Sequence, residues 1–341
     1  MLYPGRFIYL SQKGRSGIVH NYLLTIAIPT YNRSLFLQRN LDHLYQQRED
    51  LKEVELIVSD NASTDDTYAV IEKYQSLGLS IKYIRNAENK GSDFNIAQCY
   101  IQAQGKYVLA LGDDDLLLNG AVEQLLILLN KDDYGVVYLN SREFTNQGKL
   151  NIVDLNYSLF TDPIEFIKKV KFYVTFISGN IINKKYLDAD NLAKYHGTSL
   201  IQVPFILDAI LRSSNNIYVS DTLIASEPDN SGGYNLFKIF SENFNQIISE
   251  LRWNKGDIDT IRNIINNSML SGFFPQFILK LKLNKNHNFF KSNPLHHLKP
   301  LFREYANFWI CCYPIYLLPN KLAVIYSYFI RAFIKFRLVK S

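Results

Sequence analysis

The chain is 341 residues long, 47% hydrophobic and 20% charged, with a formal net charge of +5. Such a composition supports a sizeable core and excludes a disordered or collagen-like chain. Its three cysteines, Cys99, Cys311 and Cys312, lack the spacing of a zinc site or a disulfide framework, which fits a reducing cytosol. Residues 1–22 carry Arg6, Lys13 and Arg15 but no apolar stretch of signal-peptide length, so they read as an ill-ordered leader of a cytoplasmic protein.

From residue 23 to 140, short apolar runs alternate with longer helical patterns, which predicts an α/β domain with a mostly parallel, Rossmann-like sheet flanked by crossover helices. Strands are expected at 23–29, 54–59, 81–85, 107–111 and 135–139. Helices are expected at 34–47, 64–76, 93–104 and 119–130, with Ser34, Ser63, Ser92 and Asn119 as N-terminal caps. In open α/β sheets the ligand crevice lies beyond the carboxyl ends of the strands, so the loop after each strand is where function is sought. Residues 141–234 are less regular, with apolar segments at 172–182 and 200–211 and a Gly/Asn/Ser loop at 229–234. From 235 onward, apolar residues recur at three- and four-residue spacing, which predicts a helical C-terminal region. After Glu304 no acidic residue occurs, while Lys321, Arg331, Lys335, Arg337 and Lys340 interleave with aromatic and aliphatic residues. No apolar run there is long enough to span a bilayer, and this basic amphipathic tail is expected to lie on a membrane surface.

The sharpest chemical feature is Gly112-Asp113-Asp114-Asp115, directly after a predicted strand. On an extended segment Asp113 and Asp115 would face one side and Asp114 the other. The pair then suits Mg²⁺ or Mn²⁺, which take oxygen ligands, need one or two carboxylates and complete their shells with phosphate and water. A solvated acidic turn before a helix N-terminus is the bland alternative, and three mutually repelling acids weigh against it. Ser59-Asp60-Asn61-Ala62-Ser63-Thr64-Asp65 lies on the same sheet edge; Asp60 is suited to accept from a base N–H or a ribose hydroxyl, and Ser63, Thr64 and Asp65 to cap a helix. In Pro29-Thr30-Tyr31-Asn32-Arg33, Tyr31 is suited to flank a base and Arg33 to meet a phosphate, although a plain turn explains the segment nearly as well.

These segments, Ala27 through Arg33, Val58 through Asp65, Asn89-Lys90-Gly91 and Gly112 through Asp115, resemble in order and spacing the motifs of glycosyltransferase family 2, strongly over 23–140 and weakly over 141–230. The resemblance is to the abequosyltransferase type of bacterial surface-polysaccharide enzymes, supported by Gly197-Thr198-Ser199 and Asp229-Asn230-Ser231. It implies a GT-A fold and inverting transfer of a sugar from a UDP-, CDP- or dTDP-sugar to a lipid-linked glycan in O-antigen or capsule synthesis at the inner membrane surface. It also implies that Pro29, Thr30, Tyr31, Arg33, Asp60, Asn61, Asn89, Gly91, Asp113 and Asp114 form the nucleotide-sugar site and that Asp115 holds Mg²⁺ or Mn²⁺. Residues 141–234 would then be the acceptor half.

Two departures stand out. The family reads Asp-x-Asp-Asp, and Gly112 falls where the first acid would be. The carboxylate that takes the acceptor proton, about 85 to 95 residues past the metal motif, is missing from His196 through Pro204, which leaves His196, Asp208 or a residue not identified. No G-x-x-x-x-G-K-S/T loop, G-x-G-x-x-G or H-E-x-x-H supports an ATPase, dehydrogenase or zinc protease. The basic residues do not line one predicted sheet face with the aromatic ones, so nucleic acid is not an expected partner. A nucleotidyltransferase, which needs a Gly-rich basic loop after the first strand, and a non-catalytic membrane-bound assembly partner are the runner-up readings.

Overall fold

A computed structural model describes residues 22–143, 154–188, 194–227, 234–283 and 293–340, with main chain only at 333 and 335–340. The expected leader through residue 21, the loop at 229–233 and the side chains of Lys335, Arg337 and Lys340 lie outside the described residues. The chain divides into two compact units: Met1–Phe166, Phe176–His196 and Ile201–Pro228 form the first; Ile167–Thr175, Gly197–Leu200 and Asp229–Ser341 form the second.

The first unit opens with β1 (Tyr22–Thr30), α1 (Ser34–Tyr45), β2 (Val54–Asp60), α2 (Thr67–Ser76), β3 (Ile81–Arg85), α3 (Ser92–Gln102) and β4 (Gly105–Ala110). It continues with β5 (Leu116–Leu117), α4 (Ala121–Leu129), β6 (Val136–Glu143), β7 (Tyr157–Phe160) and α5 (Pro163–Val170), which runs into the second unit. It is completed by β8 (Asn180–Asn183), α6 (Gln202–Arg212) and β9 (Asn216–Ser226). Among the described residues these strands make one sheet in the order β3-β2-β1-β4-β8-β6-β9-β5, with β7 on β9.

β1 pairs in parallel with β2 on one side and with β4 on the other, and β2 pairs in parallel with β3. The chain steps outward from β1 through β2 to β3, then returns to the far side of β1 as β4. That reversal opens a crevice between the loops after β1 and β4, where parallel α/β sheets receive ligands. β8 runs antiparallel to both β4 and β6, so β6 is again parallel to β4.

Continuous apolar runs such as Leu24, Ile26, Ala27 and Ile28 have no exposed surface, as strands covered on both faces require. α1 buries Leu37, Leu41 and Leu44 at helical spacing, and α4 buries Val122, Leu125 and Leu129. The result is a GT-A-like α/β unit matching the expected fold class.

Several local expectations are corrected. The residues at the helix N-caps are Arg33, Asp66, Gly91 and Gly120, and none caps through its side chain. Ser63 works in the loop instead: its N–H donates to Asp60 at 2.8 Å and its hydroxyl accepts from the Asn32 N–H at 2.9 Å. Loop polar groups are spent tying crevice loops together, so α2 begins at Thr67 rather than at 64. β5, β7, β8 and β9 are further strands; the first three are too short to carry a periodic signal.

The second unit contains α7 (Leu236–Lys238), α8 (Phe244–Glu250), α9 (Lys255–Ser268), α10 (Phe274–Lys282), α11 (Pro294–Phe302), α12 (Tyr313–Leu317) and α13 (Asn320–Lys340). Three wider, π-type turns, Ile239–Asn243, Met269–Phe273 and Phe308–Cys312, join α7 to α8, α9 to α10 and lead into α12. Its core is aromatic, with Phe237, Phe244, Phe274, Phe302 and Phe308 fully buried. α13 buries Ala323, Ser327 and Ile330 on one face, while Leu322, Ile325, Tyr328 and Phe329 stand 51%, 64%, 68% and 67% exposed on the other. Among the described residues, no helix is long and apolar enough to cross a membrane.

Candidate functional site

The crevice is closed by direct contact between the loop after β1 and the loop after β4. The Thr30 hydroxyl donates to Asp113 Oδ2 at 2.8 Å. Arg33 lays its guanidinium across two acids, Nη1 to Asp113 Oδ1 at 3.0 Å and Nη2 to Asp114 Oδ2 at 2.7 Å. One face of that guanidinium rests 4.5 Å from the centre of the Phe36 ring. α1 then continues along the acidic turn: Asn40 Nδ2 donates to the carbonyls of Gly112 at 3.1 Å and Asp115 at 2.7 Å. Arg39 Nη2 reaches the Asp114 carbonyl at 3.2 Å and Glu227 Oε2 at 2.6 Å.

The acidic segment is a turn, closed by the Asp115 N–H on the Gly112 carbonyl at 3.1 Å. The alternation expected of an extended segment is therefore corrected: Asp113 and Asp114 share Arg33, while Asp115 Oδ2 accepts from the hydroxyl of Ser178. Ser178 also accepts from the Gly112 N–H at 2.9 Å. The absent first acid has a steric explanation. A Cβ at Gly112 would lie 3.0 Å from both Asp114 Oδ1 and Asp115 Oδ2, leaving a side chain there no room without moving the other acids.

Asp113, Asp114 and Asp115 are 4%, 6% and 6% exposed. Burial pushes the Asp113 carboxyl up to about 7, against the pull of Arg33 and with the help of Asp114. Asp115 is pushed up likewise by burial and by Asp114, while Ser178 and the Glu227 N–H oppose the shift. Burial disfavours the Arg33 cation, but Asp113, Asp114 and Asp115 more than offset it and hold the guanidinium charged. Three carboxylates therefore face one directly bound guanidinium, a donor set of hard oxygens with net negative charge. That chemistry fits Mg²⁺ or Mn²⁺, and Asp115, which does not touch Arg33, is the natural first ligand. Among the described residues no group of three or more His, Cys, Asp or Glu side chains is placed to hold a metal ion by itself.

The opposite wall is built on β2 and β3. Asp60 is 1% exposed; it accepts from the Ser63 N–H and, at 2.6 Å, from the Tyr83 hydroxyl, with Arg85 Nε at 3.5 Å. The Tyr83 and Tyr68 rings lie 5.8 Å apart, and Tyr31 is 41% exposed on the neighbouring loop. Asn61 ties three loops together: its N–H donates to the Thr30 carbonyl at 3.0 Å, and its Nδ2 to Asn89 Oδ1 at 2.7 Å and to the Gly91 carbonyl at 3.1 Å. Gly91 takes φ +87°, which a side chain would strain, just before α3. Pro29 is half-buried at the end of β1, in register with Ser59. The structure thus brings Thr30, Arg33, Asp113, Asp114 and Asp115 into one contact network, with Asp60, Asn61, Asn89 and Gly91 on the adjoining wall.

The two residues considered for proton transfer are placed differently. His196 stacks on Phe94 with ring centres 6.3 Å apart, and Lys90 Nζ lies 4.7 Å from the centre of the same ring. Phe94 precedes Asn95, whose amide donates to the Thr30 carbonyl at 3.2 Å, so His196 sits at the crevice end of α3. Asp208 lies in α6 beside Ala209, whose carbonyl would be 2.5 Å from a Cβ on Gly135. Gly135 precedes β6 at the N-terminal edge of the sheet, opposite the crevice. Sequence reasoning passed over Asn40, Tyr83, Ser178 and Glu227. Asn40 alone carried a signal, a polar residue on the buried face of an amphipathic helix.

A carboxyl whose pKa is raised by folding stabilises the fold fully below its ordinary range and loses that contribution as pH rises to the folded value. In EDTA, the melting temperature of the Asp113→Asn variant relative to the unsubstituted protein is accordingly expected to rise between about pH 5 and about pH 8. A pH-independent difference would contradict the burial account.

Residues 25–189 match the family model of glycosyl transferase family 2. The GalNAc(5)-diNAcBac-PP-undecaprenol beta-1,3-glucosyltransferase of Campylobacter jejuni is 36% identical over 135 residues, covering 37% of this chain and 43% of that protein. Less than half of that relative's length is therefore matched. The abequosyltransferase RfbV of Salmonella typhimurium is 29% identical over 227 residues, 61% of this chain and 67% of that protein. Among solved structures, TarS 1–349 of S. aureus aligns with a TM-score of 0.56 at 17% identity, over 84% of this chain and 87% of that one. A mannosyltransferase of Pyrobaculum calidifontis, solved with GDP-Man and Mn²⁺, aligns with a TM-score of 0.52 at 15% identity, over 89% and 85%. The fold, the acids at its switch point and the sequence match agree: the chain carries a glycosyl transferase family 2 domain.

Proposed function

We propose that this protein is an inverting glycosyltransferase that moves a sugar from a nucleoside-diphosphate sugar to a lipid-linked glycan in bacterial surface-polysaccharide synthesis. The observation that carries the reading is the convergence of Asp60 and the Asp113–Asp115 turn at one topological switch point, where a base and a diphosphate can be held together. Support comes from structural neighbours solved with UDP, with UDP-GlcNAc, and with GDP-Man and Mn²⁺. The Campylobacter relative is a glucosyltransferase of a GalNAc(5)-diNAcBac glycan carried on PP-undecaprenol.

In this reading Asp60 and Asn61 receive the nucleoside, Tyr31 flanks the base, and Pro29 and Thr30 form the crevice floor. Asn89 and Gly91 shape the loop before α3, Asp113 and Asp114 orient the sugar-diphosphate with Arg33, and Asp115 holds Mg²⁺ or Mn²⁺. When bound, that cation supplies positive charge against the leaving diphosphate. Thr30, Ser178 and Asn40 already fix the acids and their backbone, so the turn needs little reorganisation to receive the cation. His196, on its Phe94 platform, takes the proton of the acceptor hydroxyl; its location at the crevice end of α3 favours it over Asp208. α13 offers Leu322, Ile325, Tyr328 and Phe329 to the acyl boundary, with Lys321 and Arg331 beside them for anionic headgroups.

A thermal-shift panel of UDP, CDP, dTDP and GDP with and without Mn²⁺ tests the class. One base is expected to give a metal-dependent rise, about 2.7 kcal/mol at a hundredfold excess over Kd, and Asp115→Ala is expected to abolish it. No stabilisation by any of the four overturns the reading. His196→Asn is expected to lower kcat by about 10²- to 10⁴-fold with the nucleotide shift intact, while Asp208→Asn stays near the unsubstituted rate; the reverse pattern would reassign the base. Cosedimentation with phosphatidylglycerol vesicles is expected to fall for Ile325→Glu/Phe329→Glu and to be weak on phosphatidylcholine alone. Undiminished sedimentation of that variant removes α13 from the membrane contact.

A further inference from the structure

Arg33 is charged, only 24% exposed, and bound to Asp113 and Asp114, the two acids that precede Asp115 in the turn. Asp113 Oδ1 and Asp114 Oδ2 carry its two terminal nitrogens, and Asp113 Oδ2 is taken by Thr30. Its remaining nitrogen, Nε, is buried and finds no acceptor among the described residues. The guanidinium therefore makes two strong contacts and leaves one donor unmet, an arrangement that an incoming oxyanion with several acceptors could improve.

Resting on the glycosyltransferase reading, we propose that Arg33 is an exchangeable counter-ion: it closes Asp113 and Asp114 against a bare divalent cation and turns to the donor diphosphate when a nucleotide enters. Arg33 on Asp113 and Asp114 and a cation on Asp115 draw on one acidic turn, so each weakens the hold of the other. Phosphate oxygens release that competition by giving the guanidinium a bidentate partner, so nucleotide and cation each raise the other's affinity. Arg39 provides an internal contrast. It also borders Phe36, at 5.5 Å, and shares a buried Nε without an acceptor among the described residues, but its terminal nitrogen pairs with Glu227 and meets the acidic turn at the Asp114 carbonyl rather than at a carboxylate. A general effect of nearby positive charge would give both arginines the same role, whereas exchange assigns it to Arg33 alone.

The test is Mn²⁺ binding by the full chain, read from the paramagnetic resonance of the free ion, with and without saturating UDP, CDP, dTDP or GDP. Arg33→Gln is expected to bind Mn²⁺ alone at least about 5-fold more tightly than the unsubstituted protein while binding the stabilising nucleotide more weakly in the presence of Mn²⁺. Arg33→Lys, which keeps the charge but not the fork, is expected to fall between the two, and Arg39→Gln to leave the Mn²⁺ affinity within about 2-fold. Melting in EDTA identifies folded variants, and Arg33→Lys alone decides the matter if Arg33→Gln does not fold. Equal Mn²⁺ affinity with and without Arg33, or an equal gain from Arg39→Gln, overturns the exchange. Failure of every protein to bind Mn²⁺ or any of the four nucleotides overturns the transferase reading itself.

Discussion

The contact on which the site depends is the hydrogen bond from Thr30 to Asp113 across the gap between β1 and β4, braced by Arg33 on Asp113 and Asp114. Neighbouring parallel strands whose connections leave in opposite directions produce a gap, and something must bridge it. Here the bridge is polar and charged rather than apolar. Burying three adjacent carboxylates is unfavourable in isolation, and the raised pKa values of Asp113 and Asp115 record that cost. Hydrogen bonds from Thr30 and Ser178, together with one guanidinium, offset part of it. The remainder is what a ligand-binding site retains at the expense of stability.

Around that bridge the polar groups form layers with distinct work. Asn61 and Asn95 tie the loops after β1, β2 and β3 through main-chain carbonyls, so the base wall and the acid wall share Thr30 as a common anchor. Gly112 leaves room for the Asp114 and Asp115 carboxylates, each 3.0 Å from where a Cβ would stand.

Much of the first unit was readable because parallel strands covered on both faces must be continuous apolar runs, as at Leu24–Ile28, Leu56–Val58 and Tyr107–Ala110. Acids placed directly after such runs fall on the crevice edge by topology alone, and Asp60 and Asp113–Asp115 were legible for that reason. Ser178 and Glu227 were not: each is a single polar residue supplied by a distant part of the chain, and only the pairing of β8 with β4 and of β9 with β5 brings it near the acidic turn. Tyr83 looked like one more aromatic in a strand until its hydroxyl met Asp60. Asp65 does accept from the first N–H groups of α1 and α2, at Ser34 and Thr67, but Ser63 and Thr64 tie loop to loop instead, a tertiary demand that local capping preference does not register. The alternation of Asp113, Asp114 and Asp115 failed because the segment turns where a strand would have continued.

In the proposed function one crevice grips a nucleoside with Asp60 and a cation-bound diphosphate with the Asp113–Asp115 turn. Crystals grown with Mn²⁺ and the stabilising nucleoside diphosphate measure this directly through the anomalous signal of manganese. The account predicts a peak at about 2.1 Å from an Asp115 oxygen, a hard cation's usual distance, with the base against Asp60 and Arg33 moved onto phosphate. A nucleotide ordered elsewhere, with Arg33 still closed on Asp113 and Asp114, would contradict it.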